Sequence, residues 1–422
     1  MGPSRREHLV ERGHTTVITV WSSLRRIVTF AKVVGVVCSI CFVGLTPAAQ
    51  EAPGASVSLL WSQDLVPALR RTKSGMGRLS GVTFLDDTRL IAYAVDQDLS
   101  QLSSRISPEV SSSFRLHAWV VDATSGKVEA HREWGTRRQD SDVEATAGGL
   151  LVKTGGIVRL YSPDLAQARE LPLELDPNGL YFTSVSITGR SIAVSHYFQA
   201  AQRWISHVDV LDANTLRIRY SWNQYPPVFG FSMADETFQT ISLRRVGIAA
   251  FEHPGRSKLL LDEIKERCAA DPGGGMVSEQ SILRRECNEV VLLDAGGSSY
   301  SLGPFNGRGS RWAGGNNCTP FGTYYRAAVA SKGRFVALEL PDLKIKKPLL
   351  AEWSTCVSGL AIAVYDLALK KRVITVKVDP LPMNDYHFAL SPDASKLAIL
   401  NDRNVSVYSL PIHTAAEGNG VR

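Results

Sequence analysis

The chain has 422 residues, 44% of them apolar and 21% charged, which excludes a wholly disordered chain and is enough for a sizeable packed core. Its formal charge is +6, but residues 1–49 carry +4 of it through Arg5, Arg6, Arg12, Arg25, Arg26 and Lys32 against Glu7 and Glu11. The remainder is close to neutral, so the basicity supplies little argument for binding of nucleic acid by the folded part, and no such partner is expected.

The first element is the leader itself. Val33 to Leu45 (VVGVVCSICFVGL) is an uncharged run of 13 residues, followed by the small residues Thr46, Pro47, Ala48 and Ala49. A membrane-spanning helix needs about 20 apolar residues, so this run fits the apolar region of a secretory signal, cleaved after Ala48 or Ala49. Export to the periplasm or the cell exterior is expected. Retention of the segment as an N-terminal anchor is the alternative, and only then is a membrane association expected.

Beyond the leader a strand-plus-turn pattern recurs as AWVVD, VRLYS, VDVLD, IAAFE, VVLLD, IAVYD and VSVYS, ending at Asp122, Ser162, Asp212, Glu252, Asp294, Asp366 and Ser409. The spacings are 40, 50, 40, 42, 72 and 43 residues. A period of roughly 40 to 45 residues built from short strands is that of a four-stranded blade, which cannot bury both its faces alone and stacks around an axis. Before most copies lies a hairpin of two apolar runs around a polar turn: GVTFLDDTRLIAYAV from Gly81, VEATAGGLLVK from Val143, VSITGRSIAVS from Val185, FSMADETFQTIS from Phe231, AAVASKGRFVALEL from Ala327 and FALSPDASKLAIL from Phe388. These hairpins are strands a and b of each blade; the repeated strand is c, and KVEAHREW, LRIRYSW and RVITVKV are examples of d. The fifth blade is the poorest match, since MVSEQSILRREC barely accommodates two strands. The last copy lacks a d strand, and SVSLLW, Ser56 to Trp61, is expected to supply it and close the ring. The predicted architecture is all-β, a seven-bladed propeller of four-stranded antiparallel blades over 50–412, with 1–49 as signal or anchor and 413–422 as a flexible tail.

SPDASKLAIL with VSVYSL, and SKGRFVALEL with IAVYDLALKKRV, resemble the repeats of the WD40-like and YVTN-type propeller superfamily. The resemblance covers about residues 56 to 410 and speaks to fold more than to function. It also implies an alternative to a binding role, because lactonase-like and quinoprotein-dehydrogenase-like enzymes share the architecture and work at the central funnel.

In antiparallel blades the a–b and c–d turns lie on one face of the disc and the b–c and d–a connections on the other. The second set holds the long segments, Asp96 to Ser113, His196 to Ile205, Asp262 to Met276, Gly303 to Arg326, Glu339 to Ser358 and Asp379 to His387. Long loops gathered on one face mark the expected binding face. Cys268, Cys287, Cys318 and Cys356 all fall there; in an exported protein their even number points to disulfides, with Cys268–Cys287 and Cys318–Cys356 favoured among the three pairings. Spacings of 19, 31 and 38 between them lack the knuckle of a zinc site. On the same face, His196, Tyr197 and Trp204, then Trp312 in a glycine-rich stretch, Lys346 and Lys347 in a basic cluster, and Tyr386 and His387 are the candidate contact residues. No H-E-x-x-H, G-x-S-x-G or P-loop pattern occurs, so neither catalytic residues nor a cofactor nor a metal is assigned. A monomeric module that engages a protein, small-molecule or glycan partner through the long-loop face is the expected function.

Overall fold

Ser191–Ala200 reads SIAVSHYFQA, and the alternation explains how a blade is held on both sides. Ile192 and Val194 pack toward the preceding blade while Ala193, between them, packs toward the following one, and all three are buried. A strand with both faces covered is apolar at every position, unlike a strand with one wet face.

A computed structural model describes residues 57–65, 80–97, 114–136, 142–154, 157–173, 181–200, 203–225, 232–242, 245–261, 274–286, 289–304, 327–330, 333–346, 354–378, 387–401 and 404–412. All belong to one unit, Ala52–Arg422. Strand β1 (Ser58–Asp64) precedes blade one, which is β2 (Ser80–Phe84), β3 (Arg89–Gln97), β4 (Phe114–Asp122) and β5 (Val128–Thr136). Blade two is β6 (Asp142–Thr146), β7 (Gly149–Thr154), β8 (Ile157–Tyr161) and β9 (Ala168–Glu170), and blade three is β10 (Tyr181–Val185), β11 (Ser191–Ala200), β12 (Arg203–Asp212) and β13 (Ile218–Gln224). Blade four is β14 (Thr237–Ser242), β15 (Arg245–Ala250) and β16 (Ser257–Leu261). Blade five is β17 (Gly274–Ser278), β18 (Ser281–Glu286), β19 (Glu289–Asp294) and β20 (Ser299–Pro304), and blade six is β21 (Ala327–Val329), β22 (Phe335–Lys346), β23 (Ser354–Asp366) and β24 (Lys371–Lys377). Blade seven is β25 (His387–Leu390), β26 (Lys396–Asn401) and β27 (Asn404–Ser409), with β1 added outside β27. Each sheet is antiparallel and in chain order, so the protein is a seven-bladed β-propeller, and the described residues contain no helix.

The core is divided among the seams. Seven apolar clusters lie one between each pair of adjacent blades, from Phe84, Leu90 and Val121 of blade one against Leu400, Val405 and Val407 of blade seven round to Phe335, Ile362 and Val364 of blade six against Phe388, Leu397 and Ile399 of blade seven. At about 1.5–3 kcal/mol for each large side chain fully buried, every seam is a substantial contribution that no blade obtains alone.

The ring closes as expected, with a strand that starts two residues after the start of the apolar run SVSLLW and ends three residues after its end. Ser58 pairs with Ser409 and Asp64 with Asn404. As the outer strand β1 is mostly exposed, so the polar Ser62 and Gln63 serve as well as leucines; Ser62 Oγ lies 2.8 Å from Ser406 Oγ. Trp61 is the anchor. Its Nε1 donates to Ala123 O at 3.1 Å, and its ring lies against Gly126, where φ is +76° and an added Cβ would stand 2.9 Å from Trp61 Cδ2.

Blades four and five exchange the places expected for them. The SMADETF segment gives one bridge, Met233 to Phe238, in place of an inner strand, whereas Met276 and its neighbours form a regular four-stranded blade with Glu279 and Gln280 between β17 and β18. Ser232 Oγ accepts from Met276 N at 2.8 Å, which ties the lean blade to the next one.

The polar residue that ends most copies of the repeat caps the c–d turn. Asp122 Oδ1 accepts from the backbone N–H of Thr124 and Ser125 at 3.1 and 2.6 Å, and Asp212 Oδ1 from Asn214 and Thr215 at 3.1 and 2.8 Å. Asp294 and Asp366 do the same for Gly296 at 2.7 Å and for Ala368 and Leu369 at 2.9 and 3.0 Å. A left-handed residue then reverses the chain, at Gly126, Leu216, Gly297 and Lys370.

Candidate partner-binding face

On the long-loop side, several segments expected as loops are strand. β11 and β12 run ten residues each, and their register joins His196 to His207, Tyr197 to Ser206 and Gln199 to Trp204. The segment from His196 to Ile205 is therefore the end of a hairpin, because its polar and aromatic residues keep the two-residue alternation of the blade. The inner strand β10 reaches only as far as His196, opposite Tyr181, and the outer strand β13 only as far as Ser206. Tyr197 to Ala200 and Arg203 to Ile205 thus form a two-stranded arm beyond the four-stranded body.

Blade six repeats this on a larger scale. β22 and β23 have 12 and 13 residues, against six each for β18 and β19, and their pairing continues past the body to Lys346 opposite Ser354 and Lys344 opposite Cys356. Most of the expected loop from Glu339 to Ser358 is ribbon, and it accounts for part of the 72-residue interval in the repeat. In blade one β3 also runs past its inner neighbour, but β5 accompanies β4 to Phe114, so that extension has three strands.

Of the candidate contact residues, the structure brings His196, Tyr197 and Trp204 together on one arm. Lys346 ends β22 on another, and His387 is not in a loop but opens β25, the inner strand of blade seven, opposite Leu400. Trp312, Lys347 and Tyr386 lie outside the described residues, as do Cys268, Cys287 and Cys318; Cys356 lies within β23 rather than in a connection.

At the base of the blade-three arm, Tyr181, His196, His207 and Asn223 form one row across the four strands. The two imidazoles are 5.1 Å apart. His207 Nδ1 meets Asn223 Oδ1 at 2.7 Å, and its Nε2 lies 3.0 Å from Ser221 Oγ and 3.3 Å from Asp209 Oδ1. Burial, reinforced by the charge His207 can carry, moves His196 below the ordinary imidazole value against the pull of Asp209. Tyr197, edge-on to Phe182 at 5.6 Å, is pushed up to about 12 by burial. At the tip Trp204 is 57% exposed, and Tyr225, just past β13, is 63% exposed with the Arg203 guanidinium 5.5 Å from its ring centroid. Arg203, Tyr225 and His207 were missed in the sequence; the signal for Arg203 and His207 was the symmetry of SHYFQAAQRWISH about residues 201 and 202.

The centre of the ring offers something different. A cavity of about 330 Å³ opens among the a–b turns, on the side away from the arms, lined by inner strands of blades one, two, three, six and seven. Glu144 is the one ionisable residue in that lining, which is otherwise aliphatic, aromatic, hydroxyl or glycine.

No family model matches the chain, and no curated protein matches it. Among solved structures it is similar to the WD40 domain of Pan2 from Neurospora crassa, at 13% identity over 84% of this chain and 96% of that one with a TM-score of 0.45. It is also similar to the C-terminal WD40 domain of Sif2, at 10% identity over 84% and 99% of the two chains with a TM-score of 0.41. Identities at this level speak to fold alone, and the seven sheets carry the fold by themselves.

Proposed function

We propose that the protein is an exported propeller that binds another protein through its long-loop face, with the blade-three arm at the centre of the contact. The observation that carries this reading is the set of exposed side chains at the end of blade three, Trp204 on one face of the arm and, on the other, Tyr225 with the Arg203 guanidinium over its ring. Scattered exposed apolar residues need no explanation, but Trp, Tyr and Arg exposed at the end of one blade are the residue types that dominate binding hot spots. The extended strands of blades one and six stand on the same face and widen the surface that a partner meets.

Crosslinking of the full chain in the exported fraction identifies the partner, and the double variant Trp204→Ala, Tyr225→Ala tests the face. A loss of affinity of about 30-fold or more is expected, the size of a hot-spot truncation, while Leu369→Ala on the opposite face changes nothing. Unchanged affinity in the double variant overturns the reading. Binding of isolated glycans, lost in the same variant and with no protein captured, moves the partner class from protein to carbohydrate.

Export and the disulfides belong to the same proposal. N-terminal sequencing of the recovered protein is expected to begin near Gln50; an intact chain in the cytoplasm contradicts export, and retention of Val33 to Leu45 in a membrane fraction selects the anchor. Titration of the exported protein under non-reducing conditions is expected to find no free thiol among Cys268, Cys287, Cys318 and Cys356.

A further inference from the structure

The row at the base of the blade-three arm is the last point at which the arm is held by four strands. His196 stands in it between Tyr181 and His207, and its Nδ1 is buried with no hydrogen-bond partner among the described residues. His207, by contrast, has both ring nitrogens engaged, with Asn223, Ser221 and Asp209.

We infer that His196 is a proton sensor: taking up a proton there frees the arm from the seam with blade two and so weakens the engagement of a partner. The second half rests on the reading of the arm as the contact surface; the first half does not.

The surroundings set the direction. β7 of blade two brings the buried Lys153, whose Nζ donates to Tyr181 O at 2.9 Å and lies 5.2 Å from the Tyr181 ring centroid. β8 brings Val158 and Leu160 to this seam, β10 brings Tyr181, and β6 sets the carboxylate residue Glu144 opposite Leu151 of the same seam. From β12 come His207 and Asp209, and from β13 Ser221 and Asn223; Asp209 is already set against His207 at 3.3 Å. A second N–H on His196 would therefore carry a positive charge into a partly buried place beside a second imidazole. Water relieves that charge, and water is reached by swinging out the two-stranded ribbon that begins at the next residue. The native imidazole lies below its ordinary value of 6.5, so the closed arm is fully stable above that range. It loses stability as the pH falls through 6.5 toward the native value, because the open form binds the proton more readily.

Hydrogen exchange of the full chain, alone and without partner, tests this between pH 7.5 and 4.5 after correction for the intrinsic exchange rate. Protection over 194–210 is expected to fall with acidification, by about tenfold per pH unit in the steep part of the transition, while the other seams keep theirs. His196→Asn is expected to abolish the transition, and His207→Asn, which removes the like charge, to move its midpoint upward. Protection of 194–210 that is unchanged over the whole range overturns the inference, as does a transition that survives in His196→Asn. Should His196→Asn fail to fold, the His207→Asn midpoint decides, and one that stays put or moves down overturns the inference. Because no partner is present, failure of the proposed binding face leaves this result untouched; a partner whose affinity ignores pH while the arm opens separates the two.

Discussion

The two faces of the disc are built differently. On the short-turn face, neighbouring blades are tied by polar contacts: Asp393 N donates to Asp87 Oδ1 at 2.8 Å, Ser186 and Thr188 hydroxyls to Asp235 Oδ1 at 2.7 and 2.6 Å, and Asp235 N and Thr237 Oγ1 to Glu279 at 2.8 Å each. On the other face, strands run past their neighbours into two-stranded arms in blades three and six, with exposed aromatics at the blade-three arm. One side of the disc thus fixes the blades relative to one another, which leaves the other free to vary in length and chemistry.

That division can be broken or sharpened by mutation. The largest effect is expected from deleting Ser58–Asp64, which uncovers the β27 edge and empties the place of Trp61; a loss on the order of 3–5 kcal/mol in urea unfolding is expected, and a deletant that unfolds like the full chain would refute closure by β1. Next comes Glu279→Ala, which strips acceptors from Asp235, Glu236 and Thr237 at the seam of blades four and five, for about 1.5–3 kcal/mol in the same measurement.

Asp393→Asn is smaller and depends on pH. Burial pushes the Asp393 carboxyl up, but hydrogen bonds from Ser391 and Ser395 outweigh it and hold it down to about 2, from an ordinary value of 3.8. A depressed carboxylate stabilises the fold above its unfolded value and ceases to as the pH falls through the folded one. The variant should therefore lose about 1 kcal/mol at pH 7, after allowance for solvent screening, and should match the parent near pH 2. Least of all, Trp204→Ala is expected to change stability by within about 0.5 kcal/mol, since its indole is mostly in water. A loss comparable to that of Glu279→Ala would show that the arm is structural, and the contrast between the faces would fail.

The frame was legible because blades repeat. Asp122, Asp212, Asp294 and Asp366 recur for a local reason, the capped c–d turn, so their spacing counted blades correctly. Register was harder. His196, Tyr197 and Trp204 stood out as aromatics, yet their strand alternation was hidden by polar residues, since a two-stranded ribbon in water needs no apolar face. Blade four is leaner than its pattern suggests: Phe231 to Ser242 reads as a full hairpin, and its inner side comes down to the bridge from Met233 to Phe238. Which side chains meet across a seam, such as Lys153 and Tyr181, depends on blade-to-blade packing that no local pattern encodes.

The pairing of Ser58 with Ser409 has a topological consequence. The two ends of the ring lie side by side on one blade, so a short linker joining them turns the β27–β1 pair into an ordinary hairpin. A circular permutant opened after Thr136 would keep every strand while exchanging the most distant pairing in the chain for a local one. Its blade seven could then form without waiting for the other six, and the permutant should fold faster than the parent.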